Sequence, residues 1–281
     1  MIARRPLPPR GMALIAVLWI VAALAMLVAG TTQSVRQQIR VVAQGRDAVV
    51  GQAHADAAIQ LALQALHVAQ QRPAAMQTLM VQFGGEPIAV TVQPLNGLIN
   101  IDRAPAPLLA ALLAVAGGLP AGQAETLAQT LVDWRGSRPD GTAGPYHFEA
   151  IEDLLLIPGI DYSLFQRLQP LITTDDGSGG QVNPLAANAD VLSVLAGGNS
   201  GRAAQIAAAR DAGQTGIDTT SLDSRFVSTS STERYRIEAR VPAGEGRIKV
   251  FSRTVALGEN PSGVPWRTLR TERRTQVDGA S

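Results

Sequence analysis

Between Arg10 and Arg36 the chain carries no charged side chain, and residues 12–30 (Met-Ala-Leu-Ile-Ala-Val-Leu-Trp-Ile-Val-Ala-Ala-Leu-Ala-Met-Leu-Val-Ala-Gly) are apolar almost without a break. A helix needs about 20 such residues to cross the hydrocarbon core of a bilayer. A helix that is apolar on all sides has no polar face to turn towards water. This stretch therefore predicts a single membrane span. Arg4, Arg5 and Arg10 precede it, which predicts an N-terminus held in the cytoplasm and a chain that continues on the far side of the inner membrane. A cleaved secretory signal has a shorter apolar region, about 7–15 residues, with its cleavage site after it. Here the Arg10-Gly11-Met12 junction comes before the apolar stretch. Arg4-Arg5 also suggests a twin-arginine signal, but the Pro-Leu-Pro-Pro that follows lacks the rest of that pattern.

The remaining 250 or so residues are enough for one or two domains of about 100–150 residues each. Lys+Arg 24 against Asp+Glu 23 leaves a net charge of +1, and the basic residues gather at the two ends. A nucleic-acid-binding protein would show a basic excess. The chain has no cysteine, which excludes disulfides, thiolate metal sites and a cysteine nucleophile. Aromatics make up 4%, and the abundance of alanine favours helices.

From Gln33 to Arg72, Val35, Ile39, Val42, Val49, Ala53, Ala57, Leu61 and Leu66 recur at helical spacing, and Pro73 closes the run. No Pro or Ser/Gly-rich linker separates this helix from the apolar stretch, so the expectation is one rod from Met12 to about Gln71. Val42, Val49, Ala53, Ala57 and Leu61 would pack either on the chain's own sheet or on neighbouring rods.

Alternation at Ile88, Val90 and Val92 predicts a strand, and Asn96-Gly97 a turn. Two further alternating runs, from Glu233 and from Arg247, predict a C-terminal hairpin, with an edge strand at Trp266. The expected sheet is antiparallel, with Tyr235, Ile237, Val241, Ile248 and Val250 on its buried face and arginines on the other. Between these strands, residues 104–211 read as helices. They contain an internal repeat: Asn100-Ile-Asp-Arg-Ala-Pro-Ala-Pro-Leu-Leu matches Asn183-Pro-Leu-Ala-Ala-Asn-Ala-Asp-Val-Leu, and Leu112 has its counterpart in Leu195. An Asn opens each copy, because its side chain can hold backbone amides at a helix start.

A short basic leader, a Gly and a retained apolar helix resemble the type IV pilin class of signals. Leu95-Asn-Gly-Leu-Ile-Asn-Ile, Leu131-Val-Asp-Trp, Ile151-Glu-Asp-Leu-Leu-Leu-Ile-Pro-Gly-Ile-Asp, the Asn183 repeat and Tyr235-Arg-Ile-Glu-Ala follow in order. Together they resemble the K-type minor pseudopilins of the type II (general) secretion pathway, over nearly the whole chain. The resemblance implies an α+β fold: a pilin-like long N-terminal helix on an antiparallel sheet, with a large inserted all-helical domain of SAM-like or helix-hairpin-helix-like kind. It divides the chain into a leader (1–11), a transmembrane helix (12–32), a first pilin-like part (33–103), the insertion (104–212) and a second pilin-like part (213–281). It implies cleavage by a prepilin peptidase between Gly11 and Met12, with methylation of Met12. It also implies a place at the tip of a periplasmic pseudopilus with the I- and J-type minor pseudopilins, starting assembly and limiting length. Most members carry Glu where this chain has Ala16. That carboxylate is thought to meet the N-terminal amine of the next subunit, so Ala16 suits a subunit with none ahead of it.

Other motifs point elsewhere. Leu154-Leu-Leu-Ile-Pro-Gly-Ile-Asp resembles a helix-hairpin-helix, and a membrane-anchored, competence-like DNA-binding protein is the alternative reading. Asp161 after the turn, and Glu149, Glu152 and Asp153 before it, oppose phosphate, so no nucleic-acid partner is expected. Asp133, Asp140, Glu149 and Asp153 are candidate calcium ligands, since some members of the resembled family bind calcium in this region. The run after Trp134 lacks the acidic residues of those members, and a solvated acidic surface is the simpler reading. His54, His67 and His147 fall in no metal-binding spacing, and no nucleophile or nucleotide motif occurs. The chain reads as a non-enzyme.

Overall fold

A computed structural model describes residues 10–136, 147–175, 179–243, 246–258 and 263–277, with the side chains of 10–13, 27–41, 43–44 and 277 left out. The chain divides into two compact units, Met1–Ala53 and His54–Ser281.

The first helix, α1, is Arg10–Val68. Its sequence has no proline, and its interior glycines, Gly30, Gly45 and Gly51, cost about 1 kcal/mol each relative to alanine, too little to break so long a helix. The helix ends at Val68, short of the expected Gln71. Arg72 folds back and donates from Nη1 to the carbonyl of Leu66 (2.7 Å), and its place before Pro73 disfavours helical backbone. Among the described residues no helix is long and apolar enough to cross a membrane. Of the stretch 12–30, only Leu14 to Met26 have described side chains, and the leader 1–9 lies outside the described residues.

In His54–Ser281, five strands form one antiparallel sheet in the order β1-β2-β5-β6-β7. They are β1 Gln77–Phe83, β2 Glu86–Pro94, β5 Arg234–Pro242, β6 Arg247–Leu257 and β7 Trp266–Val277. The β1–β2 hairpin was not legible in advance. It turns on Gly84 and Gly85, both at positive φ (63° and 86°), the backbone of a two-residue hairpin loop. Ala55, Ala58, Ile59, Ala62, Leu63 and Leu66 of α1 pack on Ile88, Val90, Val92, Tyr235, Ile237, Ala239, Phe251, Val255 and Leu257. Small alanines let the helix approach the sheet closely.

One expectation about faces is corrected here. Val241 pairs with Lys249, Ala239 with Phe251 and Tyr235 with Val255. Directly opposite residues of an antiparallel pair share a face, so β6 turns Phe251, Val255 and Leu257 towards the helix. Ile248 and Val250 therefore lie on the other face, where Val250 has Arg240 and Arg274 as cross-strand neighbours. Val250 is nonetheless fully buried, consistent with the aliphatic stems of arginines covering an apolar neighbour. Of the helix residues expected to pack on the sheet or on neighbouring rods, Leu61 does not face the sheet: it is 41% exposed.

The insertion leaves β2 and returns at β5, and these two strands pair directly, Pro94 with Tyr235 and Val92 with Ile237. Asn96-Gly97 makes a single 3-10 turn, Leu95–Gly97, rather than a hairpin. Gly97 is required there because a Cβ would lie 2.1 Å from the carbonyl oxygen of Ala186. The chain then runs through β3 Ile99–Asn100, α2 Ala106–Val115, α3 Ala121–Gly136, a 3-10 turn Ile151–Leu156, α4 Tyr162–Leu168, β4 Ile172–Thr173, α5 Ala189–Leu195 and α6 Ser200–Asp211. Strands β3 and β4 pair in parallel. A second core, rich in leucine, fills this region and includes Leu108, Leu109, Leu112, Leu113, Leu192 and Leu195.

The internal repeat is a repeat of structure. Asn100 and Asn183 are both buried. Asn100 Oδ1 accepts from the amides of Asp102 and Arg103 (2.8 and 3.1 Å), and Asn183 Oδ1 from that of Leu185 (3.0 Å). Four residues on, Ala104 and Ala187 are fully buried. An arginine near the end of the second helix of each pair holds that alanine's carbonyl. Arg135 donates to Ala104 at 3.0 Å and to Ile101 at 3.1 Å, and Arg210 donates to Ala187. These charge-assisted bonds tie α3 to the start of α2, and α6 to the start of α5.

Candidate functional site

The residues singled out by sequence spread over several surfaces. Gly11 and Met12 lie in the first turn of α1, with their side chains outside the description, and Ala16 is exposed on the same helix. In Met1–Ala53, Leu14 through Met26 are exposed, and Val42 and Val49 are about as open, at 71% and 69%. In His54–Ser281, the helix turns Ala55, Ile59, Ala62, Leu63 and Leu66 to the sheet and leaves Leu61 and Val68 exposed. At about 100° per residue, Leu61 and Val68 fall on the side opposite that buried stripe. An amphipathic surface helix buries one apolar stripe and wets the other side; this segment is apolar on both.

The helix-hairpin-helix-like segment forms as a tight turn. Ile160 donates its amide to Ile157 (3.1 Å), and Gly159 has φ 98°, the positive value that position i+2 of a type II turn requires after Pro at i+1. Ile157 and Ile160 anchor it in the core. Asp161 occupies the start of α4: its Oδ1 accepts from the Leu164 amide (2.7 Å) and the Ser163 hydroxyl (2.9 Å). Those hydrogen bonds hold its carboxyl below the ordinary value. A fixed carboxylate thus stands directly after the turn, where it opposes a phosphate. Leu155, Leu156 and Tyr162 are exposed around the turn, a feature that alternation and periodicity did not signal.

The candidate calcium ligands do not converge in the part that can be seen. Asp133 on α3 accepts from Gln129 Nε2 (2.8 Å). Asp153 Oδ2 accepts from the amides of Glu149 and Ala150 (2.9 and 3.1 Å) and so closes the turn before the 3-10 segment. Asp140 lies outside the described residues. Among the described residues no three His, Asp or Glu side chains gather to hold a metal ion. Calcium takes six to eight oxygens, and Asp133 Oδ1 and Asp153 Oδ2 are already engaged by donors.

A half-buried carboxylate that the sequence reading passed over, Asp102, lies near them. Its Oδ1 accepts from the Phe148 amide (2.9 Å). Desolvation raises its pKa, and that bond, His147 and Arg135 pull it back down. The histidines stand apart in role: His54 meets Phe83 edge to face at 5.5 Å, and His67 is in the last turn of α1.

The sheet face turned away from α1 carries a charged ladder. Arg274 Nη2 donates to both oxygens of Glu238 at 3.0 Å. Arg270 pairs with Glu272 (2.8 Å) and with Glu152 of the insertion. Arg236 is 6% exposed, and among the described residues its Nε has no hydrogen-bond partner. Burial lowers the pKa of its guanidinium, opposed by Glu238 and Glu272.

No protein-family model matches the chain, and no curated protein matches it. Among solved structures it is similar to a chain of the crystal structure of the GspK-GspI-GspJ complex from the enterotoxigenic Escherichia coli type 2 secretion system. The TM-score is 0.46 and the identity 15%, over 85% of this chain and 98% of that chain.

Proposed function

We propose that this chain is a minor pseudopilin of a type II secretion system, a non-enzymatic subunit that joins its partners through its long helix. The observation that carries this reading is the architecture: a helix of 59 residues whose C-terminal part packs on an antiparallel sheet, with a helical insertion between two directly paired strands. The second apolar stripe on α1 supports it, because an apolar side left open on a helix asks for a partner. The prepilin-like Arg10-Gly11-Met12 junction ahead of an uncharged apolar stretch supports it independently.

In this proposal a prepilin peptidase cuts after Gly11, the apolar helix stays in the inner membrane and the rest lies in the periplasm. Ala16 marks a tip subunit, and the insertion, standing beside the sheet, stops a further subunit from adding above it. The acidic residues Asp133, Asp140, Glu149 and Asp153 act as solvated surface rather than as a calcium site. DNA is not a ligand, since the fixed carboxylate of Asp161 follows the turn directly and opposes a phosphate.

Mass spectrometry of the membrane-extracted protein tests the processing step. The expected product begins at a methylated Met12; an intact Met1, or cleavage after Ala29, overturns the pilin-type reading. Co-purification with I- and J-type subunits, followed by light scattering, tests the assembly step. A defined complex is expected, and homopolymers of this chain alone would remove the tip assignment. Loss of the insertion should lengthen filaments in cells.

A further inference from the structure

The outer edge of β7 is the longest exposed backbone edge in the sheet, and its chemistry is specific. The strand runs 12 residues, Trp266–Val277, against a typical strand of about 5–6. It bonds to β6 on one side and, among the described residues, to no strand on the other. Natural edge strands are usually kept short or interrupted. This one has no proline, and its pairing with β6 is broken once, between Thr254 and Val255.

Its charge is one-sided. Arg267, Arg270, Arg273 and Arg274 stand against the single acid Glu272. Glu272 is held by Arg270, and Arg274 is committed to Glu238. Arg267 and Arg273 are left exposed. The guanidinium of Arg273 lies 5.9 Å from the centre of the Phe251 ring, and neither arginine has a carboxylate partner among the described residues. By the register, Arg267 and Arg273 fall on opposite faces of the sheet, so both flanks of the edge carry a free cation. At the opposite edge, β1 has 7 residues and no charge.

We propose that the β7 edge is a strand-addition site for an extended acidic segment of another protein. The added strand would take its main-chain hydrogen bonds from the free edge of β7, the usual source of affinity in strand addition. Carboxylates on its two faces would meet Arg267 and Arg273, which fixes the sign of the partner. The competing role for the same arginines is to keep the edge solvated and unpaired.

Titrating the full chain in detergent with two synthetic peptides distinguishes these roles. One is a Glu-Glu-Val-Val repeat of β7's length, which puts carboxylates on both faces of a strand; the other has the same charge but is interrupted by prolines. The expected result is salt-dependent binding of the first, at least about tenfold tighter than the second, with slowed amide exchange confined to β7. R267E/R273E should weaken it about tenfold, as expected for two exposed ion pairs, and R267K/R273K should keep most of it. Equal binding of the two peptides, protection elsewhere, or no binding at all would overturn the proposal.

Discussion

The two cores of His54–Ser281 are assembled on opposite principles. Between α1 and the sheet, alanines and β-branched residues meet across long sequence distances: Ala55–Leu66 of the helix against strands that begin at Arg234. In the insertion, leucines on short helices meet near neighbours, and each helix pair is fastened by an Asn at its entry and an Arg near its exit. A non-local core depends on strand register, whereas a local one depends on caps and turns.

If the cores are separate in this sense, the strongest way to expose it is a cavity in each. Leu109→Ala and Ile59→Ala, at fully or almost fully buried positions, should each cost about 2–5 kcal/mol. Amide exchange should speed up in α2–α6 for the first and in β2, β5 and β6 for the second. Equal loss of protection in both regions from either substitution would show one cooperative unit.

Next in size are the arginine clamps, which compare the two copies of the repeat. Arg210 is buried and Arg135 half-buried. Removing either leaves a carbonyl without its charged donor, at about 1.5–3 kcal/mol, with Arg210→Ala the larger loss in a urea titration. Arg135→Lys should recover part of the loss, because both bonds come from the single nitrogen Nη1 and an ammonium carries enough donors for two carbonyls. An order reversed between the two arginines would mean that burial does not set the cost.

The smallest effect belongs to the helix–sheet core. Burial pushes the phenol of Tyr235 up to about 12, and its hydroxyl donates to the carbonyl of Pro73 at 3.3 Å. The folded value lies above the unfolded value near 10. The neutral phenol's contribution is therefore complete below about pH 10 and lost as pH rises towards 12. Absorbance titration should show Tyr235 ionising only as pH approaches about 12. Tyr235→Phe should flatten the pH dependence of unfolding in that window.

These contrasts follow what could be read from the chain alone. The signals that stood out were local: the uncharged stretch after Arg10, the alternation at Ile88, Val90 and Val92, the Pro158-Gly159 turn and the paired Asn100 and Asn183. Each depends on backbone preferences within a few residues. The hairpin strand β1 was missed because its alternation at Leu79 and Val81 is short and its turn, Gly84-Gly85, sits between weak signals. For the candidate site, the acidic residues were visible as types, and among the described ones Asp161 and Asp153 proved to be caps.

What the sequence determined by itself was the set of elements: a long apolar helix, an antiparallel strand set, and a helical region opened twice by asparagine. Local sterics and hydrogen bonding fix these without a partner. Tertiary structure decided their faces and joints. Arg247-Ile-Lys-Val-Phe-Ser places apolar residues on both phases of a period of two, so only pairing with β5 could turn Phe251 inward and Val250 outward. The helix carries two apolar stripes, so only the sheet could choose the one containing Ile59 and Leu63. Gly97 serves a junction rather than a hairpin because Ala186, distant in sequence, comes against it. A one-residue change of phase costs nothing locally and moves every side chain to the other face, which is why those choices waited for the fold.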